Sequence, residues 1–308
     1  PDFRRFRMRI GFIGLGTMGR SMALNLLNGG HGLAVYARRT EAARPLVDQG
    51  ATACPSAAAV AERSDVVFTM LTGTSDVEQV VLGDDGVMQG ARRGALVIDM
   101  STIDPTATQS IAETLAKRGI DMLDAPVSGG PHGARDATLT IMVGGPSPAL
   151  ERAKPLFALL GPTLIHVGEA GAGQTTKACH QLALLVTAQG VAEALTLARR
   201  CGLDVERVRQ VMMGGVASSR VLDLFGTRMA SRDFSAGIES RLYHKDLDIV
   251  LGLAHDRGTA LPAAALTMQF INALVGRGRG RDDLSALITV IEALGNQDAR
   301  RPRAATED

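Results

Sequence analysis

The spacing of apolar residues changes once along this chain, near residue 169, and that change limits the architectures open to it. Up to residue 168, short β-branched runs alternate with helical stretches. Strands are predicted at 8–13 (MRIGFI), 33–38 (LAVYAR), 66–71 (VVFTML), 95–100 (ALVIDM), 120–125 (IDMLDA), 138–143 (TLTIMV) and 163–167 (TLIHV). Helices are predicted between them at 17–29, 40–49, 56–63, 76–82, 105–118 and 147–160, with Pro105 in a first turn and Gly119 after Lys117-Arg118 as punctuation. Such alternation calls for a mostly parallel sheet covered by helices on both faces. Past residue 169 the strand signal is gone. One long helix over 172–201 stops at Gly202, and helices follow at 204–213, 219–230, 240–257, 262–276 and 283–294. The expected organisation is an α/β domain over 8–168 and an all-helical domain over 169–296, linked by the long helix. Met8 marks the expected natural start, with 1–7 an N-terminal extension, and 297–308 is a polar tail expected to fray.

Composition agrees with a large core. Hydrophobic residues make up 45% of the 308 and charged residues 21%, which excludes a disordered chain. No uninterrupted apolar run reaches the roughly 18 residues of a membrane span, and the arginine-rich start lacks the apolar stretch of a secretion leader. Cys54, Cys179 and Cys201 are odd in number and fit neither a disulfide framework nor a metal site, so a reducing, cytoplasmic setting is expected. A net charge of +1 argues against a nucleic-acid surface. Arginine supplies nearly all positive charge. The lysines are only Lys117, Lys154, Lys177 and Lys245, so each one invites a reason.

The first strand runs into Gly14-Leu15-Gly16-Thr17-Met18-Gly19, a GxGxxG turn that opens a helix. In such a turn the first glycine makes the bend and the second lets a diphosphate approach the backbone. The third lets helix and sheet pack closely, while the helix N-terminus faces the anion. A strand before and a helix–strand unit after it give the context for dinucleotide binding. The end of the second strand bears on which dinucleotide. A carboxylate there would hold the adenosine 2′-hydroxyl of NAD; this chain has Arg38-Arg39-Thr40 instead, and no carboxylate before Glu41. Two guanidinium forks and a hydroxyl suit a 2′-phosphate. NADP(H) is therefore expected to be preferred, with NAD(H) possible if the arginines merely solvate a helix start.

Four segments make the chain resemble the β-hydroxyacid dehydrogenase family over about residues 8–296. They are GFIGLGTMGRSMALNLLNGGH from Gly11, DAPVSGGPHGARDATLTIMVGG from Asp124, GAGQTTKACHQ from Gly171, and Lys245-Asp246 downstream of Phe234. The run IDMLDAPVSGG, with EALTLA at 193–198, is most similar to the tartronate semialdehyde (2-hydroxy-3-oxopropionate) reductases of that family. The resemblance implies a Rossmann-type doubly wound parallel sheet followed by an all-helical C-terminal domain, with an active site in the cleft between them. It also implies homodimers or homotetramers built through the helical domains, and a small carboxylic acid as substrate.

The family chemistry needs a carboxylate site, a nicotinamide and a proton handler. Ser128-Gly129-Gly130, small residues whose backbone N–H groups can cradle an anion, match the segment that binds the substrate carboxylate; on residues alone the turn could equally be a plain loop. Lys177 matches the catalytic lysine. It stands in a small, apolar stretch near a helix N-terminus, where desolvation would push it below its ordinary value of ~10.4. His180 and Gln181, at i+3 and i+4, share its helix face and are candidates for substrate contact. The family often has Asn at the position of His180, and a larger, titratable imidazole there bears on which acid fits. Ser101-Thr102 and Met70-Leu71 sit at carboxyl ends of strands, where ligands bind; the matches place the first pair by the nicotinamide and the second by the adenosine. Phe234 and Lys245 match positions that reach the cofactor, although Lys245 could instead pair with Asp246 or Asp248. The expected function is an NAD(P)-dependent interconversion of a short 3-hydroxy acid and its 3-oxo acid. Tartronate semialdehyde reduction to glycerate leads, with 3-hydroxyisobutyrate or an L-threonate-type sugar acid as rivals and a non-catalytic NADP-binding protein as the alternative of another class.

Overall fold

A computed structural model describes residues 8–235 and 237–295. The expected extension at 1–7 and tail at 297–308 lie outside the described residues. The chain divides into two compact units at Ala178/Cys179, inside the long helix rather than at its start.

The first unit is built on a nine-stranded sheet: β1 (Arg9–Ile13), β2 (Gly32–Tyr36), β3 (Thr52–Ala53), β4 (Val66–Thr69), β5 (Leu96–Asp99), β6 (Asp121–Asp124), β7 (Val127–Ser128), β8 (Thr140–Gly144) and β9 (Thr163–Gly168). The order is β3-β2-β1-β4-β5-β6-β8-β7, with β9 on β8. Strands β3 through β6 in that order are all parallel. β8 runs antiparallel to β6 and β7, and β9 is parallel to β8. The order reverses between β1 and β4, which is the switch point where a crevice opens at the carboxyl ends of the strands.

Both faces of the sheet are buried along β1, β2, β4, β5, β6 and β8, which is why these strands read as nearly unbroken apolar runs, whereas β3 and β9 are largely exposed. One face gathers Ile10, Phe12, Val66, Phe68, Leu96 and Ile98; Val67, Val97 and Met122 pack on the other. Phe12 stacks on Phe68 at 5.9 Å, and Phe157 meets Phe68 edge-on at 6.4 Å. Removing the Phe68 ring would cost about 3–5 kcal/mol.

The predicted helices are present, with sharper limits: Thr17–Asn28, Ala57–Glu62, Thr74–Leu82, Pro105–Ala116 and Ser147–Phe157. The stretch 40–49 is instead a 3-10 turn, Thr40–Ala42, followed by the single helical turn Arg44–Val47. Ser56 and Asp104 cap their helices by accepting from Ala59 N–H (3.1 Å) and Ala107 N–H (2.9 Å). Two strands and two short helices were not expected: β3, β7, Val87–Gly90 and Gly130–Arg135.

The long helix runs Ala172–Arg200. Its length and mean hydropathy would suffice to cross a membrane although charges interrupt its apolar run, and 44% of its most apolar window is buried inside the fold. In the second unit, helices Val205–Met213, Thr227–Ser231, Ser240–Asp256, Pro262–Leu274 and Ile288–Leu294 follow. The helix expected over 219–230 is broken by a π-helical turn, Leu222–Gly226, and a second π turn, Val275–Arg279, follows Leu274. Among the described residues this unit has one isolated β-bridge, Glu239 to Asp283.

Candidate active site

The register lines up a row of residues across the carboxyl ends of the strands: Tyr36, Ile13, Thr69, Asp99 and Asp124, ending opposite Gly144. Three of these side chains are polar and fully buried, in a sheet otherwise packed with aliphatics. Their hydrogen bonds organise the loops around the switch point.

The glycine turn follows β1. Gly14 has φ +97°, and a Cβ there would lie 2.3 Å from the Met70 carbonyl oxygen. A Cβ on Gly19 would lie 2.0 Å from the Gly14 carbonyl oxygen. The fold itself therefore demands these two glycines. A Cβ on Gly16 meets nothing within 4 Å, so the space beside it is one the chain does not fill. Gly16 is also the N-cap of helix Thr17–Asn28, which has no side-chain cap and no acidic residue in its first turn. Exposed Gly16 and Thr17 and half-buried Met18 thus surround uncapped N–H groups with room in front of them. This fits the diphosphate of a dinucleotide.

Arg38, Arg39 and Thr40 are exposed beyond the end of β2. Arg38 reaches toward Asp76, with 3.6 Å between Nη1 and Oδ1, while 82% of its side chain stays exposed. Met70 and Leu71 follow β4, and Ser101 and Thr102 follow β5. The structure joins these pairs: Leu71 N–H donates to Ser101 Oγ at 2.8 Å. Ser101 Oγ in turn donates to Asp99 Oδ1 at 2.6 Å, and Thr69 Oγ1 donates to the same oxygen at 2.7 Å. Burial pushes the Asp99 carboxyl up to about 6, against the opposing pull of the Ser101 and Thr69 hydrogen bonds.

Asp124 anchors the start of the long helix, accepting from Gly171 N–H (2.9 Å) and Gln174 N–H (2.8 Å). Burial raises its carboxyl too, and these backbone donors oppose the rise. The Gln174 side chain then clasps the loop after β5: its Nε2 donates to Ser101 O (2.8 Å) and its Oε1 accepts from Ile103 N–H (3.1 Å).

Ser128 ends β7, and Gly129 and Gly130 carry φ of +136° and +61° into helix Gly130–Arg135. Two successive left-handed positions require glycine, so the turn is a strand-to-helix junction and not a plain loop between strands. Lys177 is 7% exposed, and its Nζ donates to Val127 O at 2.8 Å. The buried ammonium is thereby held next to the Ser128 turn, across fifty residues of sequence.

In the second unit, half-buried His180 and buried Gln181 follow on the same helix. His180 Nδ1 lies 3.0 Å from Gln181 Oε1, and Gln181 Nε2 donates to Asp246 Oδ2 at 2.5 Å. Asp246 also pairs with Lys245 at 2.9 Å, the ion-pair alternative foreseen for that lysine. Phe234 lies under two guanidiniums, those of Arg232 (5.1 Å) and Arg279 (5.2 Å). Tyr243, buried near Asp283 and Asp246, has its hydroxyl pushed far up by desolvation first and by those carboxylates second.

Sequence reasoning gave no role to Asp99 or Gln174, and named Asp246 only beside Lys245, as its possible ion-pair partner. The one available signal was a carboxylate closing an apolar strand in ALVIDM. Among the described residues no three His, Cys, Asp or Glu side chains could hold a metal ion.

The strand order with its switch point and the open glycine turn define a dinucleotide-binding protein of the Rossmann class. Comparison with known proteins narrows this. Residues 9–168 match the NAD binding domain of 6-phosphogluconate dehydrogenase, and residues 171–291 match the NAD-binding family of NADP-dependent 3-hydroxyisobutyrate dehydrogenase. The chain is 42% identical to 2-hydroxy-3-oxopropionate reductase of Escherichia coli, over 94% of this chain and 99% of that one. It is 38% identical to an NAD-dependent L-serine dehydrogenase of Pseudomonas aeruginosa, over 91% of this chain and 96% of that one. The solved structure of Mycobacterium tuberculosis 3-hydroxyisobutyrate dehydrogenase with L-serine superposes with a TM-score of 0.85 at 32% identity, covering 93% and 99% of the two chains. The chain belongs to the 3-hydroxyisobutyrate dehydrogenase-like β-hydroxyacid dehydrogenases, NAD(P)-dependent oxidoreductases of 3-hydroxy acids.

Proposed function

We propose that this protein reduces tartronate semialdehyde (2-hydroxy-3-oxopropanoate) to glycerate, preferring NADPH. The observation that carries the reading is the buried Lys177 ammonium held 2.8 Å from Val127 O, immediately before the Ser128-Gly129-Gly130 turn. A proton donor and a carboxylate cradle thus lie side by side on the first unit.

The nicotinamide, when bound, supplies the hydride for the carbonyl carbon. Lys177 Nζ donates a proton to the carbonyl oxygen as negative charge gathers there, so that the C=O becomes CH–OH; in oxidation it holds the hydroxyl and takes the proton back. Ser128 Oγ and the N–H groups of Gly129 and Gly130 bind the substrate carboxylate. His180 and Gln181 contact the rest of the acid. Gly14, Gly16, Thr17, Met18 and Gly19 take the diphosphate, and Arg38, Arg39 and Thr40 the 2′-phosphate. Met70 and Leu71 wall the adenosine side and Ser101 and Thr102 the nicotinamide side, and the family resemblance alone assigns Phe234 and Lys245 to the cofactor.

The closeness to 2-hydroxy-3-oxopropionate reductase and an imidazole at position 180 support a hydroxylated acid over 3-hydroxyisobutyrate. L-threonate is the second reading, favoured by the same imidazole. We place the protein in the cytoplasm as a homodimer or homotetramer. Initial rates with NADPH and NADH test the assignment on tartronate semialdehyde and methylmalonate semialdehyde, with NADP+ and NAD+ on D-glycerate, 3-hydroxyisobutyrate and L-threonate. NADPH-dependent loss of tartronate semialdehyde at the highest kcat/KM is the expected outcome. Turnover confined to L-threonate overturns the substrate, and a preference for NADH overturns the 2′-phosphate reading.

A further inference from the structure

We infer that Asp99 is a positioning residue for cofactor binding: its buried carboxylate gathers hydrogen bonds that lock the loops after β4 and β5 into one wall, and protonating it loosens that wall. The inference rests on the reading that Met70-Leu71 and Ser101-Thr102 line the cofactor.

The geometry is lopsided. Asp99 is wholly buried. Its Oδ1 accepts from Thr69 Oγ1 at 2.7 Å, Ser101 Oγ at 2.6 Å and Ser101 N–H at 3.3 Å. Its Oδ2 is buried without a hydrogen-bond partner. Three donors on one oxygen and none on the other are not the arrangement of a group placed for stability alone, because a buried polar atom without a partner is unfavourable. What the arrangement achieves is directional. Because Ser101 spends its hydroxyl proton on Asp99, a lone pair of Oγ is turned to accept from Leu71 N–H. One carboxylate therefore sets the backbone of Leu71 and the side chain and backbone of Ser101. Gln174 holds the far end of the same loop, through Ser101 O and Ile103 N–H.

The proton has an obvious seat, the partnerless Oδ2. A neutral carboxylic acid is a weaker acceptor at Oδ1, so the three donors lose their charge-assisted character. The groups facing Asp99 make the titration legible. From β4 comes the uncharged Thr69 hydroxyl, from β6 the Asp124 carboxylate, which disfavours the ionised form, and from the long helix the uncharged Gln174 amide through Ser101. The upward displacement of the Asp99 carboxyl brings its titration into the range where enzymes are assayed.

The test is direct cofactor binding, read by the emission of NADH in a protein without tryptophan. NADH is used because it lacks the 2′-phosphate that titrates in the same range. For the unsubstituted protein the dissociation constant should rise about fourfold from pH 7.5 to 5.5, the most that a carboxyl titrating near 6 can give over that range. Asp99→Asn should already show the weaker constant at pH 7.5 and vary less than about twofold across that range. Thr69→Val, which removes one donor and keeps the carboxylate, should move the midpoint of the pH dependence upward. It supplies the answer if Asp99→Asn does not fold. Thr102→Glu checks the underlying reading, since a carboxylate on the wall should weaken NADH at least tenfold. If Thr102→Glu weakens binding while Asp99→Asn keeps both the constant and the pH slope, the positioning role is wrong and the wall stands. If Thr102→Glu also binds normally, the wall reading falls and the inference with it.

Discussion

Substituting the glycines of the GxGxxG turn one at a time should separate what the fold requires from what the cofactor requires. Gly16 has φ −72° and ψ −166°, extended backbone open to any residue. Alanine there gains about 0.4–1 kcal/mol by restricting the unfolded chain and loses a similar amount as a poorer N-cap. Its Cβ touches nothing, so Gly16→Ala should change stability by less than about 1 kcal/mol. At Gly19 the added carbon would sit 2.0 Å from the Gly14 carbonyl oxygen and 3.0 Å from the Phe12 ring. Neither backbone nor ring can step aside without lifting helix Thr17–Asn28 off β1, so Gly19→Ala should lose at least about 2–3 kcal/mol. Cofactor binding should rank the other way among folded variants. A methyl group in the space in front of the helix N-terminus should weaken NADPH at least ~30-fold, about 2 kcal/mol. Urea unfolding followed by far-ultraviolet circular dichroism gives the first quantity, and titration of NADPH emission the second. A Gly16→Ala protein that unfolds as readily as Gly19→Ala, or that binds NADPH normally, would refute the reasoning.

Other substitutions address the remaining roles. Lys177→Ala should lower kcat at least ~100-fold with NADPH affinity within a few-fold of the original; turnover near the original rate would remove Lys177 from the proton step. Replacing Arg39 by Asp together with Arg38 by Ala should raise the KM for NADPH tenfold or more and leave that for NADH within about threefold. Equal effects on both cofactors would mean the arginines do not meet the 2′-phosphate. The raised Asp99 carboxyl also has a signed effect on stability. Between the ordinary value of 3.8 and about 6 the folded protein holds the proton more tightly than the unfolded chain, so this group's contribution is greatest below 3.8 and is lost as pH rises through 6. The loss is roughly 3 kcal/mol. Asp99→Asn should flatten that part of the pH profile of urea unfolding; parallel profiles for the two proteins would contradict it.

What could be read from the sequence was what local pattern dictates. Strands such as VVFTML announced themselves because both sheet faces are buried there, so nearly every position is apolar. β3 and β7 did not, being two residues each, too short for any period to show. Helix Gly130–Arg135 hid behind Gly-Gly-Pro, which reads as a turn, and the antiparallel direction of β8 is set by its neighbours and not by its own residues. The glycines of the GxGxxG turn and Lys177 stood out because their types are unusual for their surroundings. Asp99, Gln174 and Asp246 did not, since their meaning lies in hydrogen bonds to residues as far as seventy-three positions away. The lysine–Asp246 pair shows the converse. Adjacency in sequence made that contact foreseeable, whereas the clasp of Asp246 on Gln181, sixty-five positions apart, was not.

The clasp between Asp124, Gln174 and the loop after β5 bears on how this protein can be divided. The sheet ends with β9 at Gly168, and strand content alone would mark that as the place to close a gene fragment. Such a fragment would strand both oxygens of Asp124, the carbonyl of Ser101 and the amide of Ile103, all met by residues 171–174. Each buried group left so costs about 1–3 kcal/mol, comparable in sum to the whole margin that keeps a domain folded. The compact unit is longer and runs past Lys177 to Ala178, and the Lys177 ammonium itself closes on Val127. The first turns of the long helix are thus the last part of the nucleotide-binding half, and during synthesis that half is finished only when they have left the ribosome.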